Sequence, residues 1–275
     1  MNSSAMAMAG RYLGLLCVAL LTMGPFLWLL STALKSGGEN IFAYPPSLLP
    51  KQPTLQNFDR VLETQPFLLY LKNSVLVAVL SVGANLIFAS LAAYPLARME
   101  FRGRNLMFLM LLSSMMIPFQ LLMIPVYNIA INLGLQNSYL GLVLPHACTA
   151  FGVFLMRQAF LGIPKALEES AILEGLSRIQ IWWFVLLPLV KPSLATLAVF
   201  SFIAVWGDFL WPLIILDDPA YYTLPLGVNR LANTFSMDWR LVAAGAVFSI
   251  IPILVVFLFS QKYFIEGAMR GAVKG

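Results

Sequence analysis

Charged residues are scarce in this sequence: Asp, Glu, Lys and Arg make up 11% of its 275 residues, whereas 60% are hydrophobic. A soluble domain of this length carries about twice that charged fraction, so an ordinary soluble fold is excluded. The apolar residues form long charge-free runs, of 23 residues between Arg11 and Lys35 and of 52 residues between Arg104 and Arg157. About 20 apolar residues in a helix cross a bilayer core of about 30 Å. The composition therefore predicts an integral membrane protein.

Residues that bind metals or form disulfides are also few. Cys17 and Cys148 both lie inside apolar runs, where we expect small buried side chains and no disulfide. His146 is the only histidine and has no second ligand nearby in the sequence, so no metal site is predicted. The net charge of +5 does not indicate a nucleic-acid partner, because no basic run is interleaved with aromatic residues. Cytoplasmic loops of membrane proteins commonly collect such charge.

The charge-free runs predict an all-α fold, a polytopic membrane helix bundle in which residues 1–275 form a single domain. Helices are favoured over a barrel because the apolar runs show no alternation with a period of two. The predicted transmembrane helices lie at about 12–34, 73–97, 105–127, 138–156, 192–213 and 241–261. The third and fourth are separated by a segment rich in Asn, Gly and Ser, between Tyr127 and Tyr139.

Lys and Arg are distributed unequally over this topology. If both termini lie on one side, that side receives eleven of the seventeen basic residues: Arg11, Arg98, Arg102, Arg104, Arg157, Lys165, Arg178, Lys191, Lys262, Arg270 and Lys274. Because loops rich in Lys and Arg stay in the cytoplasm, both termini are expected to be cytoplasmic. Only one cytoplasmic loop is then long, at 157–190.

This loop contains a short predicted helix, at 164–175. Pro164 suits the first turn of a helix, and Gly175 suits the position just after a helix, where a left-handed backbone is required. One face of the predicted helix is apolar and consists of Leu167, Ala171 and Ile172. Glu168 and Glu169 are expected to project elsewhere. Such a helix can dock into a partner protein, or it can lie against the bilayer or its own bundle, and its spacing alone does not decide between them.

The same loop carries a recognisable signature. The stretch Glu169-Ser170-Ala171-Ile-Leu-Glu174-Gly175, followed by Leu187-Pro188, resembles the cytoplasmic loop of binding-protein-dependent ABC importer permeases. That signature has Glu-Ala-Ala, three further residues, Gly, and a later Leu-Pro. Ser170 stands in place of the first Ala of the signature, and Glu174 stands where Asp is usual. Further segments are similar to the smaller, six-helix subunit of the carbohydrate branch, the maltose and glycerol-phosphate type: Pro118–Gln120 with Ile124-Pro125, Asn137–Gly141, Trp206–Pro212 and Gln261–Gly275.

The resemblance implies a type I ABC importer permease fold in a bacterial inner membrane. In that family the loop helix sits in a cleft of a cytoplasmic ATPase and transmits its movement to the membrane helices. The implied ATPase-coupling residues are Glu168, Glu169, Ser170, Ala171, Glu174 and Gly175. The chain has no Gly-x-x-x-x-Gly-Lys-Ser/Thr phosphate loop, so ATP and Mg are expected in a partner and no cofactor in this chain. The implied partners are a homologous second permease, two ATPase subunits, an extracytoplasmic solute-binding protein and membrane lipid.

Asp208 is the only acidic residue inside a predicted span, and Trp206 and Trp211 flank it. A charge at the centre of a bilayer costs about 2.5–3.5 kcal/mol on insertion scales, so Asp208 is expected to face a cavity or an outer edge. The three side chains are candidates for the solute pathway, because aromatic faces and a carboxylate suit sugar rings and hydroxyls. The alternative is an interfacial aromatic anchor with Asp208 among the headgroups. Gln120 and Asn128 are secondary candidates for the pathway.

The residues inside the spans indicate the class of solute and bear on two alternative functions. The spans offer no cationic side chain beyond Lys191 at a boundary, which favours neutral sugars, oligosaccharides or glycosylated polyols over phosphorylated solutes. An ion-coupled secondary transporter is the main alternative, but it commonly has buried ionisable residues or two similar halves. A membrane enzyme requires paired acids, a Ser with a base, or a metal set, which one histidine and one acid inside the spans do not supply.

Overall fold

The computed structural model describes residues 3–232 and 238–272, and these residues are predominantly helical. Lys274, one of the residues assigned to the cytoplasmic side, lies outside them. The described residues include an isolated β-bridge between Lys35 and Pro53 and no strand. The helices are α1 Ser3–Ala33, α2 Gln56–Thr64, α3 Phe67–Arg98, α4 Arg104–Ser114, α5 Phe119–Asn132, α6 Tyr139–His146, α7 Ala150–Leu161, α8 Lys165–Leu173, α9 Arg178–Leu189, α10 Lys191–Trp206, α11 Leu210–Ile215, α12 Leu224–Ala232 and α13 Trp239–Ala272.

Three helices are individually long and apolar enough to cross a membrane. They are α1 over Gly10–Ala33, α3 over its whole length, and α13 over Trp239–Gln261. Three further crossings are formed by pairs of shorter helices that bend at a break: α4 with α5 by 102°, α6 with α7 by 46°, and α9 with α10 by 85°. Counting each bent pair as one crossing, the described residues provide up to six spans.

The breaks follow from local chemistry. Pro118 precedes α5, and a proline has no N–H and disfavours helical backbone at the residue before it. Thr149 begins α7 by accepting a hydrogen bond on its hydroxyl from the N–H of Gly152, 3.0 Å away. In α9 residues 181–186 form a π-helix, before α10 starts with Pro192 in its first turn. The predicted spans 105–127 and 138–156 each contain such a break, and the predicted span 192–213 is interrupted at 207–209, between α10 and α11. A charge-free run does not report where the backbone bends.

The chain divides into two compact units. The first unit comprises Met1–Leu68 and Gly227–Ile251, and the second comprises Leu69–Leu226 and Pro252–Gly275. In the second unit, buried side chains of α3, α7, α9 and α10 form the main core, among them Tyr94, Phe160, Leu186 and Leu197. Helices α3 and α7 approach closely because their contact uses small residues. A Cβ added to Gly152 would lie 2.9 Å from the Cβ of Ala89, closer than carbon atoms normally approach.

In the first unit, the segment after α1 is held by buried polar contacts. Lys35 is 1% exposed, its Nζ donates to the carbonyl of Ser47 at 2.8 Å, and this ammonium lies 4.7 Å from the ring centroid of Trp28. Asn57 on α2 is also buried, and its amide donates to the carbonyls of Ala33 and Lys35, both at 2.8 Å. These bonds satisfy carbonyl groups at the C-terminal end of α1 that have no partner within the helix.

Asp238, just before α13, binds two arginines in the same unit. Its carboxylate oxygens lie 3.1 Å from Arg60 and 3.1 Å from Arg240. Burial acts to raise the pKa of Asp238, but the hydrogen bonds from the Arg240 N–H and the Arg60 guanidinium outweigh it and hold this pKa below its usual value. The carboxylate is therefore a stable anion at neutral pH, and it connects α2 with the start of α13.

Candidate functional site

The helix predicted at 164–175 is α8, Lys165–Leu173, and it begins directly after Pro164. Gly175 has a φ of +84°, as its position predicted. The N–H of Gly175 donates to the carbonyl of Ile172 and the N–H of Leu176 to that of Ala171, at 3.0 and 3.1 Å. This pair of bonds is a Schellman motif, which ends the helix sharply. Helix α8 is therefore a short rod with a fixed end.

The residues of the predicted apolar face of α8 differ in burial. Ala171 is buried, Leu167 and Ile172 are both 43% exposed, and Glu168, which was expected to project elsewhere, is only 6% exposed. Burying a carboxylate is costly unless it is paired. Its partners come from other elements, which the spacing within the helix does not show. The inward face of α8 is thus made by Ala171 and Glu168.

Glu168 joins α8 to the end of α3 and to the start of α9. Its Oε2 lies 3.3 Å from Nε of Arg98, its Oε1 lies 3.2 Å from Nη1 of Arg178, and the hydroxyl of Tyr94 donates to Oε1 at 3.1 Å. Arg98 is buried with it and also donates to the carbonyl of Ile163 at 2.7 Å. A buried ion pair of this kind requires partners on both groups. Glu168 accepts hydrogen bonds from Tyr94 and Arg178, and Arg98 donates to Ile163, while Nε of Arg98 faces Glu168 at ion-pair distance without hydrogen-bond geometry. The carboxylate therefore fixes α8 to the last turn of a membrane-spanning helix.

The opposite face of α8 is open. Glu169, Ser170 and Glu174 are exposed, and Leu173 is 89% exposed. A cavity of about 550 Å³ adjoins the helix, and Lys165, Glu169 and Arg178 are among the charged residues that line it. Of the six residues assigned to coupling, the structure thus turns Glu168 and Ala171 inward, whereas Glu169, Ser170 and Glu174 are exposed and Gly175 ends the helix. The outward face offers both carboxylates and a large apolar side chain to a partner.

A second polar cluster lies at three breaks between helices. His146 ends α6, Asp208 lies in the break between α10 and α11, and Phe119 begins α5. Nε2 of His146 and Oδ2 of Asp208 are 3.2 Å apart, and both side chains are about one-fifth exposed. The Phe119 ring centroid lies 6.5 Å from that of His146. Breaks in membrane helices are tolerated where they are covered by protein or line a water-filled cavity.

The two tryptophans beside Asp208 are buried, which the sequence did not predict. Trp211 is 0% exposed, and its indole N–H donates to the carbonyl of Gly141 at 2.9 Å. Trp206 is 3% exposed and stacks on Phe202, with ring centroids 5.3 Å apart. Asp208 also accepts a hydrogen bond from the Trp211 backbone N–H at 3.3 Å. Both tryptophans are thus packed inside the protein, and Trp211 also holds the carboxylate of Asp208.

The other pathway candidates, Gln120 and Asn128, lie on the exposed surface of α5. Asn85 on α3 was not predicted to be a site residue, although it is an isolated polar residue in the middle of an apolar span. It is 1% exposed, donates to the hydroxyl of Ser201 at 2.7 Å, and accepts from the N–H of Thr149 at 2.9 Å. It thereby joins three helices at the break between α6 and α7.

Comparisons with known proteins give the family of this chain. Residues 85–269 match the family described as binding-protein-dependent transport system inner membrane component. The arabinooligosaccharides transport system permease protein AraQ of Halalkalibacterium halodurans is 37% identical over 246 residues, which cover 89% of this chain and 86% of that protein.

Solved structures agree with this assignment. A crystal structure of a bacterial ABC transporter involved in the import of the acidic polysaccharide alginate contains a chain 27% identical to this one, with a TM-score of 0.84 and coverage of 96% of this chain and 99% of that chain. A bacterial alginate ABC transporter in complex with an alginate pentasaccharide-bound periplasmic protein has the same fold, with a TM-score of 0.64 at 16% identity over 94% of both chains. The resemblance noted in the sequence and the predicted all-α membrane fold are confirmed. The chain belongs to the inner membrane components of binding-protein-dependent transport systems and has the fold of an ABC importer permease.

Proposed function

We propose that this chain forms half of the translocation pathway of an ATP-driven importer for a sugar, an oligosaccharide or a glycosylated polyol. The observation that carries the proposal is α8, a rigid helix with an exposed face of carboxylates and leucine and an inward Glu168 bound to the end of a membrane span. Its relatives support the solute class, because AraQ is named for arabinooligosaccharides and the structural neighbour for alginate import. Family membership favours this function over an ion-coupled secondary transporter.

The proposed assembly contains a homologous second permease, two cytoplasmic ATPase subunits that bind ATP and Mg, and an extracytoplasmic solute-binding protein. ATP hydrolysis takes place in the ATPase, so this chain is not itself an enzyme. Both termini and α8 lie in the cytoplasm, in agreement with the excess of Lys and Arg on that side. The periplasmic protein bound to the alginate transporter supports the fourth partner by analogy.

Coupling proceeds through the two faces of α8. The outward face, with Glu169, Ser170 and Glu174, docks on the ATPase, and Gly175 allows the helix to end without a clash at that surface. The inward Glu168 bonds to Arg98, so a displacement of α8 moves the end of α3 with it. Closure of the ATPase on ATP is then converted into a rigid-body rotation of membrane helices, which exchanges inward-facing for outward-facing access.

The solute pathway on this subunit is proposed to run past the helix breaks. Discontinuous helices place polar groups at membrane depth and are a recurrent location of transporter binding sites. Asp208 and His146 can bond to sugar hydroxyls there, and Phe119 can offer an aromatic face. Trp206 and Trp211 contribute by holding Asp208 in position, and Gln120 and Asn128 are secondary contacts on α5. The carboxylate of Asp208 favours neutral solutes because it repels anionic ones.

The proposal is tested by purifying the tagged chain from membranes in mild detergent. We expect a nucleotide-hydrolysing subunit to copurify with the wild-type chain. The variant Glu169→Lys, which reverses a charge on the exposed face of α8, should lose that subunit, whereas Glu63→Lys, an equally exposed charge reversal on α2, should retain it. The proposal fails if no ATPase copurifies, or if solute uptake into sealed vesicles is driven by an ion gradient without ATP.

A further inference from the structure

The segment that follows α1 exposes an unusual amount of apolar surface. Residues 42–50, which we name the apolar loop, include Phe42, Tyr44, Leu48 and Leu49, and these four side chains are 71–97% exposed. The sequence has no charged residue between Glu39 and Lys51. Contiguous apolar surface on this scale marks an interaction site. The chemistry and position of the loop decide which partner it fits.

We propose that the apolar loop is inserted into the membrane leaflet that surrounds the C-terminal end of α1, and that a lipid acyl chain fills the crevice between the loop and this helix. The proposal does not depend on the transported solute or on the ATPase.

The first argument is the depth of the loop along α1. The hydroxyl of Ser31 donates to the carbonyl of Leu48 at 2.6 Å, and the ammonium of Lys35 donates to the carbonyl of Ser47 at 2.8 Å. Ser31 lies inside the candidate span Gly10–Ala33, two residues before its end. The loop therefore runs back alongside the last turns of the span instead of extending away from it. Its leucines lie at the level of apolar helix residues.

The second argument is the crevice itself. It has a volume of about 430 Å³ and is lined by Gly24, Leu27 and Trp28 on α1 and by Leu48 and Leu49 on the loop. Gly24 lies nine residues before the end of α1, a distance of about 13 Å along a helix. The absence of a side chain at Gly24 opens the crevice toward the middle of the span. Its depth and apolar walls suit a hydrocarbon chain that enters along the helix axis.

The third argument is the backbone of the loop. In lipid every backbone N–H and C=O must find a partner within the protein, because no water is available. Pro45, Pro46 and Pro50 have no N–H to satisfy. The carbonyls of Ser47 and Leu48 have the donors described above. These provisions leave fewer backbone groups of the loop without a partner, which lowers the cost of placing it in lipid.

The fourth argument is continuity with a surface of α1 that this chain leaves uncovered. The most apolar window of α1 is not buried at all inside the protein. Tyr44 belongs to a residue type that concentrates at the boundary between hydrocarbon and headgroups, and Phe42 adds a large apolar ring beside it. Glu39 and Lys51 bracket the loop with charge, so the apolar part is bounded on both sides by groups that stay in water. Lipid is thus favoured over a protein partner as the occupant.

The test is a measurement of depth in the assembled importer in phosphatidylcholine–phosphatidylglycerol nanodiscs. A spin label is attached at Leu49→Cys, with Cys17 and Cys148 replaced by Ala, and its collisions with oxygen and with a water-soluble nickel chelate are compared. The matched control is Gln52→Cys, three residues further along the chain and also exposed. We expect the label at 49 to collide severalfold more with oxygen than with nickel, and the label at 52 to show the reverse. Leu48→Cys replaces Leu49→Cys if the latter does not assemble.

Two results would overturn the proposal. A label at 49 that collides mainly with nickel lies in water, so the loop is not inserted. A label at 49 that collides with neither reagent is covered by protein, which would assign the apolar loop to another subunit or to the solute-binding protein. Lipids with a spin label or bromine on the acyl chain provide a second measurement, because contact with position 49 places a hydrocarbon chain at the apolar loop.

Discussion

The most specific prediction concerns the ion pair between Glu168 and Arg98 and uses the variant Glu168→Gln. The amide keeps the size of the side chain and can still accept from Tyr94, but it removes the charge that pairs Arg98. The side chain of Arg98 is 3% exposed, and breaking a buried ion pair from one side costs about 3–5 kcal/mol. The pair with Arg178 adds at most about 1 kcal/mol, because that arginine is 56% exposed.

Thermal unfolding of the importer in nanodiscs measures this loss. A change of 1 kcal/mol shifts the Tm of a chain of about 150–250 residues by about 2–4 °C, so Glu168→Gln should lower it by about 6 °C or more. The matched control is Glu169→Gln, the same change at the exposed neighbouring residue, which should alter stability by less than about 0.5 kcal/mol. In proteoliposomes Glu168→Gln should also raise the number of ATP molecules hydrolysed per solute transported, because α8 moves without α3.

A double-mutant cycle tests whether Glu168 and Arg98 interact. Replacing Arg98 by Gln in the Glu168→Gln background removes the unpaired buried charge, so the combined loss should be smaller than the sum of the single losses by about 0.5–3 kcal/mol. Additive losses would show that the two side chains do not interact. A Glu168→Gln variant with wild-type Tm and wild-type ATP use per solute would refute the role of this carboxylate in joining α8 to the membrane helices.

Three further predictions concern the backbone and the pH dependence. Gly175→Ala should lower the free energy of unfolding by about 1–2 kcal/mol and reduce coupled transport, because φ at this residue is +84°. The control Gly162→Ala should change neither, and equal solute uptake by the two variants would contradict this prediction. Gly152→Ala should lower the Tm, because the added methyl group crowds Ala89 on α3 and reduces the free energy of unfolding by about 1–3 kcal/mol. The control Gly83→Ala places its methyl group in open space and should leave the Tm unchanged. Equal Tm values for the two variants would show that the contact at Gly152 relaxes freely. The depressed pKa of Asp238 means that its ion pairs stabilise the protein above its ordinary pKa of 3.8 and lose this effect as the pH falls through the lower folded value. The Tm of the wild-type protein should therefore fall more steeply below pH 3.8 than that of Asp238→Asn, and parallel Tm curves would exclude this contribution.

Local patterns predicted the features that depend on neighbouring residues. The ends of α8 are specified by Pro164 and Gly175, and both act through their own backbone geometry, so the helix and its left-handed end could be predicted. The membrane fold followed from charge-free runs, because the thickness of the bilayer sets the length of a span.

Contacts between distant residues could not be predicted in the same way. Tyr94 and Glu168 are 74 residues apart, and His146 and Asp208 are 62 residues apart, so nothing in the local spacing relates either pair. Burial of Glu168 was missed because its cost is offset by an arginine on another helix. The bends before Pro118 and at Val190 were missed, because the hydrophobicity of a segment predicts whether it lies in lipid or in water and does not predict the direction of its backbone.

The bent crossings have a mechanical consequence. A straight helix transmits a push along its axis, so a displacement at one membrane surface emerges as an equal displacement at the other. A crossing with a corner, such as the 102° bend between α4 and α5, can turn that push sideways. Small movements at one membrane surface can therefore widen or narrow the middle of the bundle while both of its ends stay at their depth in the bilayer.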